Sequence, residues 1–203
     1  TVKGETMDTG RLISQDALDA LSYTSTLKQS LKQISLRETP LDVILQDISK
    51  YREGYINTLI MENLIGSRFK SDDSILRKYE KTLHTGGGFK QCFNDVLGFR
   101  LRLESYPTDF PGYFRVVDLT HGKRIDDGYR AIHLYYQRDS HSYPIEIQLW
   151  CGKDYWFNTW SHQYVYKYES VDIGKKLYDK YCAGVITTED EFKKQLKEVQ
   201  IRG

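Results

Sequence analysis

The sequence predicts an α+β fold: a mixed, largely antiparallel sheet of about five strands flanked by helices. Three observations predict it. Helical spacing of apolar residues fills the first part of the chain, alternating strand-like runs fill 96–149, and helical spacing returns after Cys151. At 203 residues the chain can bury a real core. It reads as a single domain over 1–203, with 1–38 an N-terminal helical segment, 39–170 the core and 171–203 a C-terminal helical tail.

Residues 1–13 carry no strong pattern. From Gln15 to about Ile34, Leu18, Leu21, Leu27, Leu31 and Ile34 recur at helical spacing, with Ser14 as N-cap. Lys28 and Lys32 lie four apart on that helix, as a solvated face or a weak nucleic-acid patch. Thr39-Pro40-Leu41-Asp42 starts a second helix: Thr39 caps, Pro40 takes the first turn, and Asp42 suits the positive helix end. It runs to about Asn63, with Leu41, Ile44, Leu45, Ile48, Tyr51, Tyr55, Leu59 and Ile60 as its buried stripe. Arg68 and Lys70 alternate on an extended lead-in. Ser71 or Asp72 then caps a helix to about Leu83, carrying Ser74, Arg77, Lys78 and Lys81 along one side. These cations suit a plain basic surface as well as a phosphate cradle. Gly86-Gly87-Gly88 is a flexible link, because it lacks the G-x-x-x-x-G-K-[ST] pattern.

Four strands follow. Val96–Glu104 turns Phe99, Leu101 and Leu103 to one face, with Arg100 and Arg102 on the other. Tyr113–Leu119 is the second. Gly128 precedes the third, Tyr129–Gln137, whose Tyr129, Ala131, His133 and Tyr135 share a face. The fourth, Ser142–Leu149, sets Glu146 and Gln148 opposite Ile145, Ile147 and Leu149. Cys151 to about Tyr168 is an aromatic-rich helix, and Glu189–Gln200 is a charged helix with a Phe192, Leu196, Val199 stripe.

Composition excludes several classes. Lys and Arg total 29 against 28 Asp and Glu, so nucleic acid or membrane binding must come from a local patch rather than a global field. Cys92, Cys151 and Cys182 are odd in number and far apart, which fits neither a disulfide framework nor a zinc site and suits a reducing compartment. No long apolar run and no signal-like start are present, so the expectation is a soluble cytoplasmic protein with no membrane partner. The five histidines show no H-x-x-x-H spacing.

Glu146 and Gln148 sit on a strand whose other face is fully apolar, so their face opens to solvent or to a cleft. Asp95, just ahead of the first of these strands, supplies a second carboxylate. Two carboxylates plus substrate phosphates are a usual way to hold magnesium. Asp95 and Glu146 are therefore expected to meet across the sheet around Mg2+. Arg68, Lys70, Ser74 and Lys78 are placed to hold the phosphates.

Taken in order, Arg68-x-Lys70-x-x-x-Ser74-Ile75-x-x-Lys78, Asp95-x-x-Gly98-Phe99-Arg100, Gly128-Tyr129-Arg130-x-x-His133, Glu146-x-Gln148 and His162 through Tyr168 resemble the RelA/SpoT synthetase domain. More narrowly, they look like the single-domain small alarmone synthetases, over roughly residues 45–170. The resemblance implies a nucleotidyltransferase-like catalytic core over 39–170. It also implies an enzyme that transfers pyrophosphate from ATP to a ribose 3′-hydroxyl. Arg68, Lys70, Ser74 and Lys78 would grip the ATP phosphates, and Arg68 and Arg100 would sandwich the adenine. Asp95 would ligate magnesium. Glu146 would bind the metal or take the hydroxyl proton. Tyr129 would stack on the acceptor base with His133 beside it, and Gln148 would join the acceptor side. The family's histidine-bearing hydrolase domain has no counterpart here, which implies synthesis only.

Two departures bear on the acceptor. Where the family commonly reads Lys-Pro-Asn-Gly-Tyr, this chain reads Arg124-Ile125-Asp126-Asp127-Gly128-Tyr129, and Gln148 leads into Leu149-Trp150-Cys151 without the family's arginine. More anions and fewer cations argue against a free di- or triphosphate acceptor. They favour the branch of the family that pyrophosphorylates the 3′-CCA end of tRNA, a toxin paired with an antitoxin protein. Lys28, Lys32, Lys123 and Arg124 would then touch acceptor-stem phosphates. The alternatives are GDP or GTP as acceptor, making the alarmone, and a catalytically silent nucleotide- or RNA-binding module.

Overall fold

The computed structural model describes residues 13–56, 63–165 and 171–201. Seven helices and five strands run along the described chain. They are α1 (Gln15–Leu21), α2 (Leu41–Gly54), β1 (Leu64–Phe69), α3 (Asp72–Thr85), α4 (Phe89–Cys92), β2 (Leu97–Leu103), β3 (Phe114–Asp118), β4 (Ile132–Tyr136), β5 (Ile145–Cys151), α5 (Gly152–Tyr164), α6 (Val171–Cys182) and α7 (Glu189–Ile201). The strands form one sheet in the order β1-β2-β5-β4-β3, mostly antiparallel, in an α+β arrangement. The expected fold class is thus the observed one.

The chain divides into two compact units made of discontinuous segments. Unit 1 takes the chain up to Leu101, Pro107–Val116 and Leu134–Gln148; unit 2 takes Arg102–Tyr106, Val117–His133 and the chain from Leu149 on.

In unit 1, Leu18, Leu31, Ile44, Ile48, Ile75, Phe89, Phe93, Leu97, Phe99 and Tyr143 are fully buried. The first helix corrects the sequence expectation: it ends at Leu21, not near Ile34. Ser22 turns extended, and Thr24 bridges to Ser142 in antiparallel fashion. Hydroxyl-bearing residues end the helix because they find better partners elsewhere. Buried Asp47 of α2 accepts from the Tyr23 hydroxyl (3.1 Å), the Ser25 hydroxyl (2.5 Å), the Thr26 amide (2.8 Å) and hydroxyl (2.7 Å), and the Tyr143 hydroxyl (2.9 Å). Leu31 and Ile34 are still buried, but from turns. Lys28 and Lys32 therefore do not share a helix face; both are exposed.

The second helix is also shorter than expected. Pro40, not Thr39, is its N-cap, without a side-chain cap, and it ends at Gly54. Leu59 and Ile60 lie outside the described residues. The third helix begins as expected, with the Ser71 hydroxyl accepting from the Ser74 amide, and closes on left-handed Gly86. The strand β1 was hidden in the sequence. Its Leu64-Ile-Gly-Ser-Arg-Phe run has no period-two alternation, because it is an exposed edge strand. It pairs antiparallel with β2, setting Arg68 opposite Gly98 and Gly66 opposite Arg100.

In unit 2, α5, α6 and α7 close over Phe157, Trp160, Leu177, Ile186, Phe192 and Leu196, with Val199 packed against them. A second cluster joins Tyr129, Ala131 and Trp150 to Leu119 and Tyr155. Strand β4 starts at Ile132, so Tyr129 and Ala131 precede the strand that was expected to hold them. The left-handed Gly128 (φ 82°) turns the chain there. Cys151 closes β5 and the aromatic helix starts one residue later; Tyr166 and Tyr168 lie outside the described residues. No helix among the described residues is long and apolar enough to cross a membrane.

Candidate active site

Unit 1 gathers the residues expected on the ATP side. Lys70, one residue past β1, and Lys78, on the second turn of α3, each place an ammonium on Asp95: Lys70 Nζ to Oδ2 at 2.5 Å, Lys78 Nζ to Oδ1 at 2.7 Å. Lys78 also donates to Asn94 Oδ1 at 2.6 Å. Burial pushes the Asp95 carboxyl up, but Lys78 and Lys70 outweigh it and hold Asp95 below the ordinary carboxylate range. Two lysines on one acid leave this cluster net positive, which suits a polyanion approaching it. Ser74 lies one turn before Lys78, bonded to the Ser71 hydroxyl at 2.9 Å and to Arg77 at 3.2 Å.

Beside it is a small cleft lined by Gly66, Ser67, Arg68, Gly98, Phe99, Arg100, Glu146 and Gln148. It lies over β1, β2 and β5, which are adjacent in the sheet. Arg68 and Arg100, the two residues expected to sandwich the adenine, both line it. Arg100 donates through Nε and Nη2 to Gln148 Oε1, both at 3.2 Å, and Gln148 Nε2 donates to Glu146 Oε2 at 2.9 Å. Gln148, expected on the acceptor side, is thus bonded to Arg100, expected on the ATP side, and to Glu146. Gly98 lies on its floor, where a Cβ would make only an ordinary contact with Glu146 Oε2, at 3.7 Å.

Tyr135 of β4 donates to Glu146 Oε1 at 2.9 Å. Burial raises its hydroxyl pKa most, Glu146 next, and Asp95 adds to the rise. Both carboxylates therefore act on one phenol. Asp95 and Glu146 offer the hard oxygen ligands that magnesium takes, with both Asp95 oxygens bonded here to Lys70 and Lys78. Among the described residues no group of three or more His, Cys, Asp or Glu forms a fuller metal cage. Sequence reasoning did not single out Tyr135 or Asn94. Their signals were there: Tyr135 shares the His133 face of its strand, and Asn94 adjoins Asp95.

Unit 2 holds Tyr129 and His133, two of the residues expected on the acceptor side. The Tyr129 hydroxyl bonds His133 Nε2 at 2.8 Å and accepts from Trp150 Nε1 at 3.0 Å. The indole can only donate, so the Tyr129 oxygen accepts from Trp150 and shares a second hydrogen bond with the His133 ring. Tyr129 is 8% exposed, and Lys123 Nζ lies 4.9 Å from its ring centroid.

The two unexpected aspartates are not bare charges. Asp126 accepts the Arg130 guanidinium on both oxygens (2.7 and 2.8 Å) and the Gly128 amide. Asp127 takes Lys123 at 2.5 Å and the Tyr129 amide at 3.1 Å. Each acid closes a turn and neutralises a cation. The expectation that they repel phosphates by unbalanced charge is corrected accordingly: what they do is occupy Arg130 and Lys123. The Arg130 guanidinium also lies 4.2 Å from the Tyr178 ring, and Asn158 Nδ2 donates to its carbonyl at 2.6 Å. Arg124 is exposed.

No family model matches the chain, and no curated protein does. Among solved structures the chain is similar to small alarmone synthetase 1 of Bacillus subtilis, at 22% identity over 80% of this chain and 88% of that one, with a TM-score of 0.40. It is also similar to a GTP pyrophosphokinase family protein from Streptococcus pneumoniae, at 20% identity over 77% and 89%, TM-score 0.37. A third is small alarmone synthetase 2 of Bacillus subtilis, at 19% identity over 79% and 85%, TM-score 0.34. Small alarmone synthetase 1 has been crystallised with its product pppGpp and with AMPCPP.

Proposed function

We propose that this protein is an ATP-dependent pyrophosphokinase that moves the β,γ-pyrophosphate of ATP onto a ribose 3′-hydroxyl. The observation that carries the reading is the Lys70–Asp95–Lys78 cluster beside a cleft with Arg68, Arg100 and Glu146 on its walls. Arg68 and Arg100 take the adenine between guanidinium planes. Lys70, Lys78 and Ser74 take the phosphates. The acceptor 3′-oxygen attacks the β-phosphorus, the bond from that phosphorus to the α,β-bridging oxygen breaks, and AMP leaves. The hydroxyl proton passes to the Glu146 carboxylate, which Tyr135 and Gln148 hold in place. Asp95 and Glu146 would hold magnesium, which when bound neutralises charge on the transferring phosphates.

The favoured acceptor is the 3′-CCA end of tRNA. What supports it is that two of the basic side chains near Tyr129 in sequence, Lys123 and Arg130, are engaged by Asp127 and Asp126. The terminal adenosine of tRNA has no free 5′-phosphates for them to hold. Such a reaction stops translation and calls for an antitoxin protein as partner. The test is a tRNA ending in 3′-deoxyadenosine, compared with one ending in 2′-deoxyadenosine. Only the second should accept γ-label from ATP; equal labelling of both would dismiss the 3′-hydroxyl.

A further inference from the structure

Unit 1 contains a second, larger cleft of about 380 Å³, lined by Lys90, Gln91, Asn94, Arg115, Tyr135, Gln137 and Pro144. Its size falls in the range of ligand pockets. Two of its lining residues belong to the proposed catalytic network: Asn94 accepts from Lys78, and Tyr135 donates to Glu146. Its other polar side chains are the cations Lys90 and Arg115 and the neutral amides Gln91 and Gln137. The Arg115 guanidinium lies 4.1 Å from the centroid of the Tyr135 ring. Burial first, then the fields of Arg115 and Lys32, pulls the Lys90 ammonium below its ordinary value. Lys90 therefore lies within electrostatic reach of both Arg115, which lines the cleft with it, and Lys32. Among the described residues none of the three has a carboxylate partner. Three like charges held together without counter-ions raise the energy of the empty site, and an anion binding among them releases that energy.

We infer that the Lys90–Arg115 cleft, with Lys32 at its margin, is a phosphate-binding site for the acceptor substrate. This rests on the pyrophosphokinase reading and adds to it. The Lys70 and Lys78 ammoniums serve the donor; Lys90 and Arg115 serve the molecule that receives the group. The phosphate can come from the backbone of an RNA acceptor or from the phosphates of a free nucleotide, and the same cations would take either.

The full-length chain and its Lys90→Ala/Arg115→Ala variant distinguish these sources by binding alone. Both side chains are exposed, so the fold should survive; near-UV circular dichroism checks it. Three probes are titrated: a labelled RNA hairpin with a single-stranded CCA end, GDP, and AMPCPP. The expected result is at least a tenfold loss of hairpin affinity. The slope of log affinity against log salt should also become shallower by between about one and two, as for one or two lost phosphate contacts. AMPCPP affinity should not change. If GDP affinity falls instead, the site stands and its phosphate comes from a nucleotide. If neither hairpin nor GDP affinity changes, the site is refuted. A wild-type chain that binds the hairpin through these residues yet transfers no label would sink the enzymatic reading and leave the cleft standing.

Discussion

At the scale of single residues, the account turns on charges held in fixed relation. Asp95 is ionised because two lysines flank it, so Asp95→Asn removes the charge and keeps the shape. Transfer should fall about 10²–10³-fold, the usual cost of losing one transition-state electrostatic partner, while binding of AMPCPP persists. Full activity in that variant would remove Asp95 from the mechanism. Tyr135→Phe is the finer test. It keeps the ring beneath Arg115 but takes the hydroxyl off Glu146. We expect kcat to drop roughly tenfold with little change in KM for ATP, the pattern of a lost transition-state contact; a change confined to KM would contradict a positioning role. The motif residues Asp95, Gly98, Arg100 and Glu146 were legible in the sequence. Tyr135 shares the face of His133, but its pairing with Glu146 of a neighbouring strand was not legible, because no local spacing announces such a pair.

At the scale of elements, Asp47 explains why α1 stops early. Periodicity alone favours a long helix through Leu27 and Leu31, and it gave no weight to a buried carboxylate in α2 that draws Tyr23, Ser25 and Thr26 out of helical geometry. Asp47→Ala strands those hydroxyls and should cost about 2–4 kcal/mol in denaturant unfolding. A loss under 0.5 kcal/mol would show the network to be incidental. Burial pushes the Asp47 carboxyl up, but its hydrogen bonds more than reverse this, so its folded pKa lies below the ordinary 3.8. A depressed carboxyl stabilises the fold fully above its unfolded pKa. Stability should therefore be lost as the pH drops from about 4 through the lower folded value, and the Asp47→Ala variant should lack that part of the acid transition. A second element-level contact lies in unit 2, where α6 abuts the acceptor loop. A Cβ on Gly174 would come 2.1 Å from the Asp127 carbonyl oxygen, and one on Gly128 would come 2.6 Å from the Gly174 carbonyl oxygen. Gly174→Ala must push the loop that carries Tyr129. It should raise the acceptor KM several-fold and leave AMPCPP binding alone; unchanged acceptor kinetics would mean the loop does not need that seat. Helix α6 was expected only as part of a helical tail, and nothing local in the sequence pairs its glycine with Gly128.

At the scale of the whole molecule, the order of helices, strands and helices conveyed the α+β class, because it depends on periodicities that survive tertiary packing. The edge strand β1 and the start of β4 did not show, since exposure removes alternation from one and a left-handed glycine delays the other. The donor-side candidates fall in unit 1, and the acceptor-side candidates Tyr129 and His133 in unit 2. The central proposal is the transfer of pyrophosphate from ATP to a ribose 3′-hydroxyl. One measurement tests that claim most directly: incubation of the protein with γ-labelled ATP and Mg2+ in parallel with tRNA, GDP and GTP, following where the label goes. The account predicts label on the 3′ end of tRNA, with AMP released in equal amount. Label only in guanine nucleotides would move the acceptor to the alarmone side, and a well-folded protein that labels none of the three would contradict the pyrophosphokinase itself.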